Sequence, residues 1–543
     1  MKFKTAFFLL FLISAASAQV VFEPLHSDVY NFLSRLSQKG LIEFNDNIRP
    51  VTRQYIYSLL KEAELKRNEL TRLEKDELFF FLQDYYQESR NDYLPDDLHK
   101  LFTGVGKDPA GRYRLFAYSD DLFRVNLSPI LGYSYGKRDG LRNNHLWNGL
   151  YFYGYIGDQI GFSFDFRDNN ETGKGIDPFK LFTPETGVNF RGKPNSIDYS
   201  EAKATISTNW SWGSFTIGKD FLEWGYGKSG LIVLSQKAPS FPFIRLEVKP
   251  VTWFRFNYMH AWLSSDVIDS TESYFTLNAS ERIVYRDKFL ATHTATITPF
   301  EGFDIALGES IIYSDKLEIA YLIPLSFFRL VDHAISRQNN SAGSNAQFFF
   351  QLSSRNHIPN THLYGSLFID EITLENIFDK VNQRNQLGFT LGGSVTDLPL
   401  ENLTIRTEYT KIYPFVYSHF ITTQTYESSS FPLGHWMGYN ADLIYGELNY
   451  RILRGLQADI FAQYIRKGSK GTVTQQYIQP QPPFLFGLRK DYTYLGFSVK
   501  YEFIHELFAK FNFQNININE EQSEDIFVEQ NFNEFSFVLY YGL

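Results

Sequence analysis

The sequence predicts an all-β transmembrane β-barrel of roughly 16 to 20 antiparallel strands, preceded by a small N-terminal α-helical bundle. Two observations carry this. Hydrophobicity alternates with a period of two over most of the chain, and the alternation runs on to the carboxyl end as Phe535, Phe537, Leu539, Tyr541 and Leu543. The 53 Phe and 35 Tyr bring aromatic residues to 17% of 543, as in barrels that carry aromatic girdles at both membrane interfaces. A barrel closes on its last strand and leaves no unpaired edge, so the terminal stripe reads as a closing strand.

From the amino end, Lys2 and Lys4 precede an apolar run from Phe7 to Ile13, and Ala16-Ser17-Ala18 forms a small-x-small site before Gln19. Residues 1–18 therefore read as a secretory signal peptide. The chain has no cysteine, which excludes a disulfide framework and a lipid anchor on cysteine. Beyond the signal segment, no run approaches the ~18 apolar residues of a spanning helix. The mean hydropathy is −0.27.

Residues 19–106 read as helical and periplasmic. Val29, Phe32, Leu33 and Leu36 lie at i, i+3, i+4 and i+7 between Ser27, as N-cap, and Gly40, as stop. The spacing recurs at Ile56, Leu59, Leu60 and Ala63 after Thr52, and at Leu78, Phe81, Leu82 and Tyr85 after Thr71. Thr71 with Glu74 makes a capping box. Mutual core packing accounts for these stripes.

Around Gly104 to Gly111 the period falls from 3.6 to 2, so 107–543 reads as the barrel. Leu403, Ile405, Thr407 and Tyr409 alternate with Thr404, Arg406, Glu408 and Thr410, which puts the charged set in a lumen. Thr493 to Phe503 and Leu456 to Tyr464 repeat the pattern. Ser211-Trp212-Gly213, Phe300-Glu301-Gly302 and Arg454-Gly455 read as short periplasmic turns. The polar stretches Asn169–Asp198, Ser264–Glu281, Val331–Asn345, Pro414–Gly438 and Lys467–Arg489 read as long loops at the other end.

Several chemistries find no support. A net charge of −9 and no basic block argue against nucleic acid. Gly227-Lys228-Ser229 imitates the tail of a phosphate loop, but Leu222 stands where its first glycine is needed. Asp168, Asn170, Thr172 and Gly173 match half a calcium loop, whose twelfth position is Phe179 instead of Glu. The histidines lack metal spacing and no nucleophile elbow occurs, so no catalytic residue, metal or cofactor is assigned.

One stretch departs from generic alternation: Gly218-Lys219-Asp220, then Glu223-Trp224-Gly225-Tyr226-Gly227, Leu231 to Ser235, Ala238-Pro239, and Phe243-Ile244-Arg245-Leu246. It resembles the capsule-assembly (Wzi) family of outer-membrane proteins, with Tyr226 in place of the usual Pro and Lys219 of the commoner Arg. Leu363 to Glu371, including Asp370, and Gly434-His435-Trp436 to Asp442 resemble further family segments. His26 to Ile42, followed by Arg49-Pro50-x-Thr52-Arg53, is similar to the helical lead-in of members from Bacteroidetes-type bacteria.

The resemblance implies an eighteen-stranded barrel with periplasmic helices at its base, acting without catalysis as a surface lectin for capsular or exopolysaccharide. Its implied partners are that polysaccharide, outer-membrane lipid and the polysaccharide export machinery. Lys219, Asp220, Trp224, Gly225, Gly227, Ser235, Arg245, Asp370, His435 and Trp436 are the candidate glycan-binding or family-motif residues. For Gly218 to Gly227 two readings stand: Trp224 stacks on a sugar, or the turn plugs the barrel. Tyr413, Phe415, Tyr417, His419, Phe431, His435 and Trp436 form an aromatic loop group suited to sugar stacking or to membrane-interface anchoring. Asp370 and Glu371 point to opposite faces, the lumenal one able to pair with an Arg such as Arg406. A porin-like channel is the alternative function.

Overall fold

The structure, a computed structural model, describes residues 20–89, 106–107, 112–120, 122–339, 343–379, 381–524 and 526–542. The signal segment 1–18, Leu543 and most of the Gly104–Gly111 transition lie outside the described residues.

Among the described residues, eighteen antiparallel strands close into one barrel, from Phe123–Arg138 to Ile526–Tyr541. Closure is made by the last strand, with Glu534 opposite Arg138 and Tyr541 opposite Leu131. Over Glu534–Tyr541 its partners on either side take up both rows of backbone donors and acceptors, so that stretch leaves no edge for lipid, which cannot solvate one. The outward row Leu495, Phe497, Phe503, Phe537 and Leu539 is exposed, while Ser498, Lys500 and Asp459 line the lumen.

The turns Ser211-Trp212, Glu301-Gly302 and Arg454-Gly455 all fall at one end of the barrel. Three helices pack across that end: α1 (Val29–Gln38), α2 (Arg53–Leu65) and α3 (Arg72–Asp84). Their predicted stripes form one core of Val29, Phe32, Leu33, Leu36, Ile56, Leu59, Leu60, Ala63 and Leu78. Thr52 caps α2, and Thr71 and Glu74 complete the capping box of α3. Ser27 is not the N-cap of α1. That position is Asp28, whose side chain caps nothing; its carboxylate instead meets Lys500 of the wall at 2.6 Å.

The bundle is docked by ion pairs to the short turns. Arg35 bridges Glu74 at 3.0 Å and also pairs with Asp397, Arg451 meets Glu77 at 2.6 Å, and Arg355 meets Asp46 at 2.6 Å. Arg35, Glu74, Arg451, Glu77 and Arg355 are buried, and Asp46 and Asp397 partly so, so each buried charge needs its partner in place.

Three long connections differ from their predicted form. Asn169–Thr172 remains strand, paired with Ser196–Tyr199, so Asp168, Asn170 and Thr172 share a strand face and form no calcium loop. Val331–Asn345 is not an open polar loop, because a fourth helix, α4 (Phe328–Asn339), occupies most of it. Pro414–Gly438 folds inward, with Phe415, Tyr417, Phe431, His435 and Trp436 buried. Those five rings belong to the lumen, so they do not anchor the protein at the membrane interface, one of the two readings of the group.

Candidate functional site

The motif stretch leaves the wall early. Its strand, Gly213–Asp220, is short, and residues 221–240 then cross the lumen before the chain re-enters the wall at Phe241–Val251. At the near side, Ile48-Arg49 pairs antiparallel with Glu223-Trp224, and Gly225 N–H donates to Asn47 C=O at 2.7 Å. The crossing segment is thereby stitched to the helical end.

Trp224 is 1% exposed and meets Phe349 edge-on at 6.2 Å. It is a core residue, so neither face of its ring is free to take a sugar. Gly225 has φ +120°, and a Cβ at Gly227 would lie 2.3 Å from the Gly230 carbonyl oxygen; both positions therefore require glycine. Across the lumen, the backbone N–H groups of Lys228 and Ser229 donate to the Glu408 carboxylate at 2.8 and 3.0 Å, and Tyr364 O–H joins them at 2.8 Å. The false phosphate loop does hold an anion, and that anion belongs to the chain itself.

The inward loop 413–440 locks onto the same segment. Tyr417 O–H donates to Ile232 C=O at 2.7 Å, Tyr426 O–H to Val233 C=O at 2.9 Å, Ser235 O–H to Gly434 C=O at 2.5 Å, and Trp436 Nε1–H to Ser229 C=O at 2.6 Å. Asp370 anchors the loop by accepting Tyr417 N–H at 2.7 Å. Arg406 pairs with Glu447 instead of Asp370. His435 is fully buried beside Trp436, and burial pushes its imidazole down to about 3.

Between this plug and the long loops lies a cavity of about 920 Å³. Phe182, Trp436 and Tyr494 give it aromatic walls, and Asn143, Glu171, Glu201, Gln463, Gln514 and Glu534 give it amides and carboxylates. Phe182 is held by Trp436 at 5.3 Å and by Tyr492 at 4.6 Å. Lys180 meets Glu171 at 2.9 Å and Glu185 at 2.5 Å; burial pulls its ammonium pKa down, but the two carboxylates outweigh that and raise it. Lys237 Nζ–H donates to the carbonyls of Thr183 and Glu185 at 3.1 and 2.8 Å, tying the plug to the loop. Burial lowers its ammonium to about 8.

Of the ten candidate residues, Lys219 and Trp436 line this cavity. Gly225, Gly227, Ser235 and again Trp436 border a second cavity of about 520 Å³ on the helical side of the plug. Asp220 is turned to its own chain, accepting Phe221 N–H at 2.8 Å. Arg245 is directed to the helical end, donating to Pro50 C=O at 3.1 Å. Phe182, Glu171, Gln463, Tyr494, Gln514 and Glu534 were not predicted; the strand residues among them sit in lumenal phase, which alternation marks, but their height depends on register.

A closed, lumen-plugged barrel with an outward row of apolar residues defines an outer-membrane protein. The model of the capsule assembly protein Wzi family matches residues 195–515, which include the lumen-crossing segment 221–240 and the inward loop 413–440, and the chain belongs to that family. Among solved structures it is similar to Wzi of Escherichia coli, described as an outer-membrane protein involved in group 1 capsule assembly and a carbohydrate-binding β-barrel. The identity is 12%, coverage is 97% of this chain and 100% of that one, and the TM-score is 0.58. OprD of Pseudomonas aeruginosa (12% identity, 77% and 95% coverage, TM-score 0.42) and OccAB2 of Acinetobacter baumannii (11%, 77% and 97%, 0.45) also match. No curated protein sequence matches the chain.

Proposed function

We propose that this protein is a non-catalytic, lectin-like component of the outer membrane that holds a segment of capsular or exopolysaccharide in the 920 Å³ cavity. In this reading residues 1–18 are a signal peptide, 19–106 a periplasmic bundle and 107–543 the barrel, so the short turns face the periplasm and the cavity faces outward. The observation that carries it is the lining. Aromatic faces at Phe182, Trp436 and Tyr494 suit the C–H faces of sugar rings, and the surrounding amides and carboxylates suit hydroxyls. The volume lies within the ~300–1,000 Å³ usual for ligand pockets. The carbohydrate binding described for the E. coli barrel supports the same reading. Polysaccharide export machinery is a further partner of this role.

The test is binding of the purified barrel to a glycan array, followed by titration of the best ligand against Phe182→Ala. The variant is expected to lose about tenfold in affinity, the value of one aromatic contact, while keeping heat-modifiable migration. An array without any bound glycan would remove the proposal. The porin-like alternative predicts steady ion current in planar bilayers, against which the lumen-crossing segment 221–240 weighs.

A further inference from the structure

Lipid solvates no polar group, so the outer wall of a membrane barrel is apolar. One sector here is not. On the strands Phe254–Ile268, Tyr285–Phe300 and Phe303–Ser314, Tyr258 stands opposite His293, and His293 opposite Glu309. All three share the outward phase with Leu246 and Phe348. His260, Ile311 and Tyr313 continue the outward face toward the long-loop end, yet Tyr258, His260, Glu309 and Tyr313 are buried.

What buries them is the connection after Ser314, which folds back over the outside of the barrel. Tyr258 O–H donates to Tyr321 C=O at 2.8 Å, and His293 Nδ1 lies 3.0 Å from Pro324 C=O. The Glu309 carboxylate accepts Phe328 N–H at 2.8 Å and Arg329 N–H at 2.6 Å, so it sits on the first turn of α4. Phe327 meets Phe348 of the wall at 5.9 Å. By strand rise and tilt, Glu309 lies about 15 Å above the short turn that starts its strand, inside an apolar belt of about 25 Å.

The outer side of this strap is apolar. Leu325 is 81% exposed and Leu330 64%, with Ile319 and Ile323 beside them, and the surface continues into the wall at Leu307, 58% exposed. Arg329, the charge within the stretch, lies 3.9 Å from Asp332. Single leucines are exposed on the long loops too, as at Leu277; what marks this strap is four exposed apolar residues, Ile319, Ile323, Leu325 and Leu330, at belt height beside the wall. We propose that residues 319–330 form a membrane-embedded strap whose outer face is solvated by lipid acyl chains and whose inner face satisfies the polar groups of Tyr258, His293 and Glu309.

The cysteine-free chain allows a direct test. Leu325→Cys, labelled with bimane, is placed in phosphatidylethanolamine/phosphatidylglycerol vesicles carrying a 12-doxyl phospholipid, beside Leu307→Cys on the wall and Leu277→Cys on the 269–284 loop. Quenching at Leu325 is expected to match Leu307 and to exceed Leu277 by about threefold or more. Quenching equal to that at Leu277 overturns the proposal, whether water or a partner protein covers the strap. Leu330→Cys gives the same reading if Leu325→Cys loses heat-modifiable migration.

Discussion

Glu408 accepts the backbone N–H of Lys228 at 2.8 Å and that of Ser229 at 3.0 Å, so a lumenal carboxylate on one wall fixes a segment rooted in the opposite wall. These are charge-assisted bonds, each worth about 1.5–3 kcal/mol. Glu408→Ala is expected to free the segment 221–240 and raise conductance in planar bilayers above the wild-type level. Glu408→Gln, which can still accept, is expected to fall between. Unchanged traces for Glu408→Ala would assign closure to the loop 413–440 and the helices instead.

His435 makes that loop sensitive to acid. Its imidazole is held neutral by burial, with a folded pKa of about 3 against 6.5. The opened form binds a proton below 6.5 and the closed form does not, so the closed form loses stability as pH falls from about 6.5 toward 3. At pH 5 the loss is about 2 kcal/mol. Proteolysis within 413–440 is expected to accelerate between pH 7 and pH 5, and His435→Gln to flatten that dependence. A wild-type rate independent of pH over this range would refute it.

The barrel was legible because alternation, terminal stripe and turn chemistry are local signals, and a lipid-facing row tolerates few exceptions. The helices were legible for the same reason: the stripe of α2 and the box Thr71–Glu74 need no tertiary information. What escaped was whatever depends on where a connection goes. Pro414–Gly438 and Val331–Asn345 have loop composition, but one enters the lumen, where Asp370 and the carbonyls of Ile232 and Val233 offer it partners, and the other continues α4 on the outer wall, where Val331 and Ile335 pack against Tyr258, Phe289 and Tyr313. The candidate residues were legible as a segment, whereas which of them the plug buries was not. Trp224 carries the motif yet faces Phe349, while Phe182, in an ordinary loop, lines the cavity.

That difference separates two aromatic substitutions. Trp224→Ala removes a ring from the core and is expected to cost about 3–5 kcal/mol of plug stability, read as higher conductance and faster cleavage of 221–240. Its effect on glycan affinity is expected to follow that loosening. Phe182→Ala is expected to lower affinity with the plug intact. If the two variants behave alike in both measurements, the cavity and the plug are not separate in function.

Arg53 closes the helical end by a different means. Its guanidinium donates to Glu23 at 2.6 Å, Glu88 at 2.8 Å and the Asp84 carbonyl at 2.7 Å. It also lies 4.2 Å from the ring centre of Tyr85 and 4.5 Å from that of Tyr153 on the wall. One planar cation thus joins the N-terminal segment, the end of α3 and the barrel, which an ammonium cannot reproduce. Arg53→Ala leaves two buried carboxylates without their cation and is expected to cost about 3–5 kcal/mol. The expected readout is tryptic cleavage within 20–89 while the barrel keeps heat-modifiable migration. Arg53→Lys retains the charge but loses the fork, so its cleavage rate is expected to lie nearer Arg53→Ala than wild type. A helical end as protease-resistant in Arg53→Ala as in wild type would show that the turn-side pairs of Arg35 and Arg451 are sufficient to hold it.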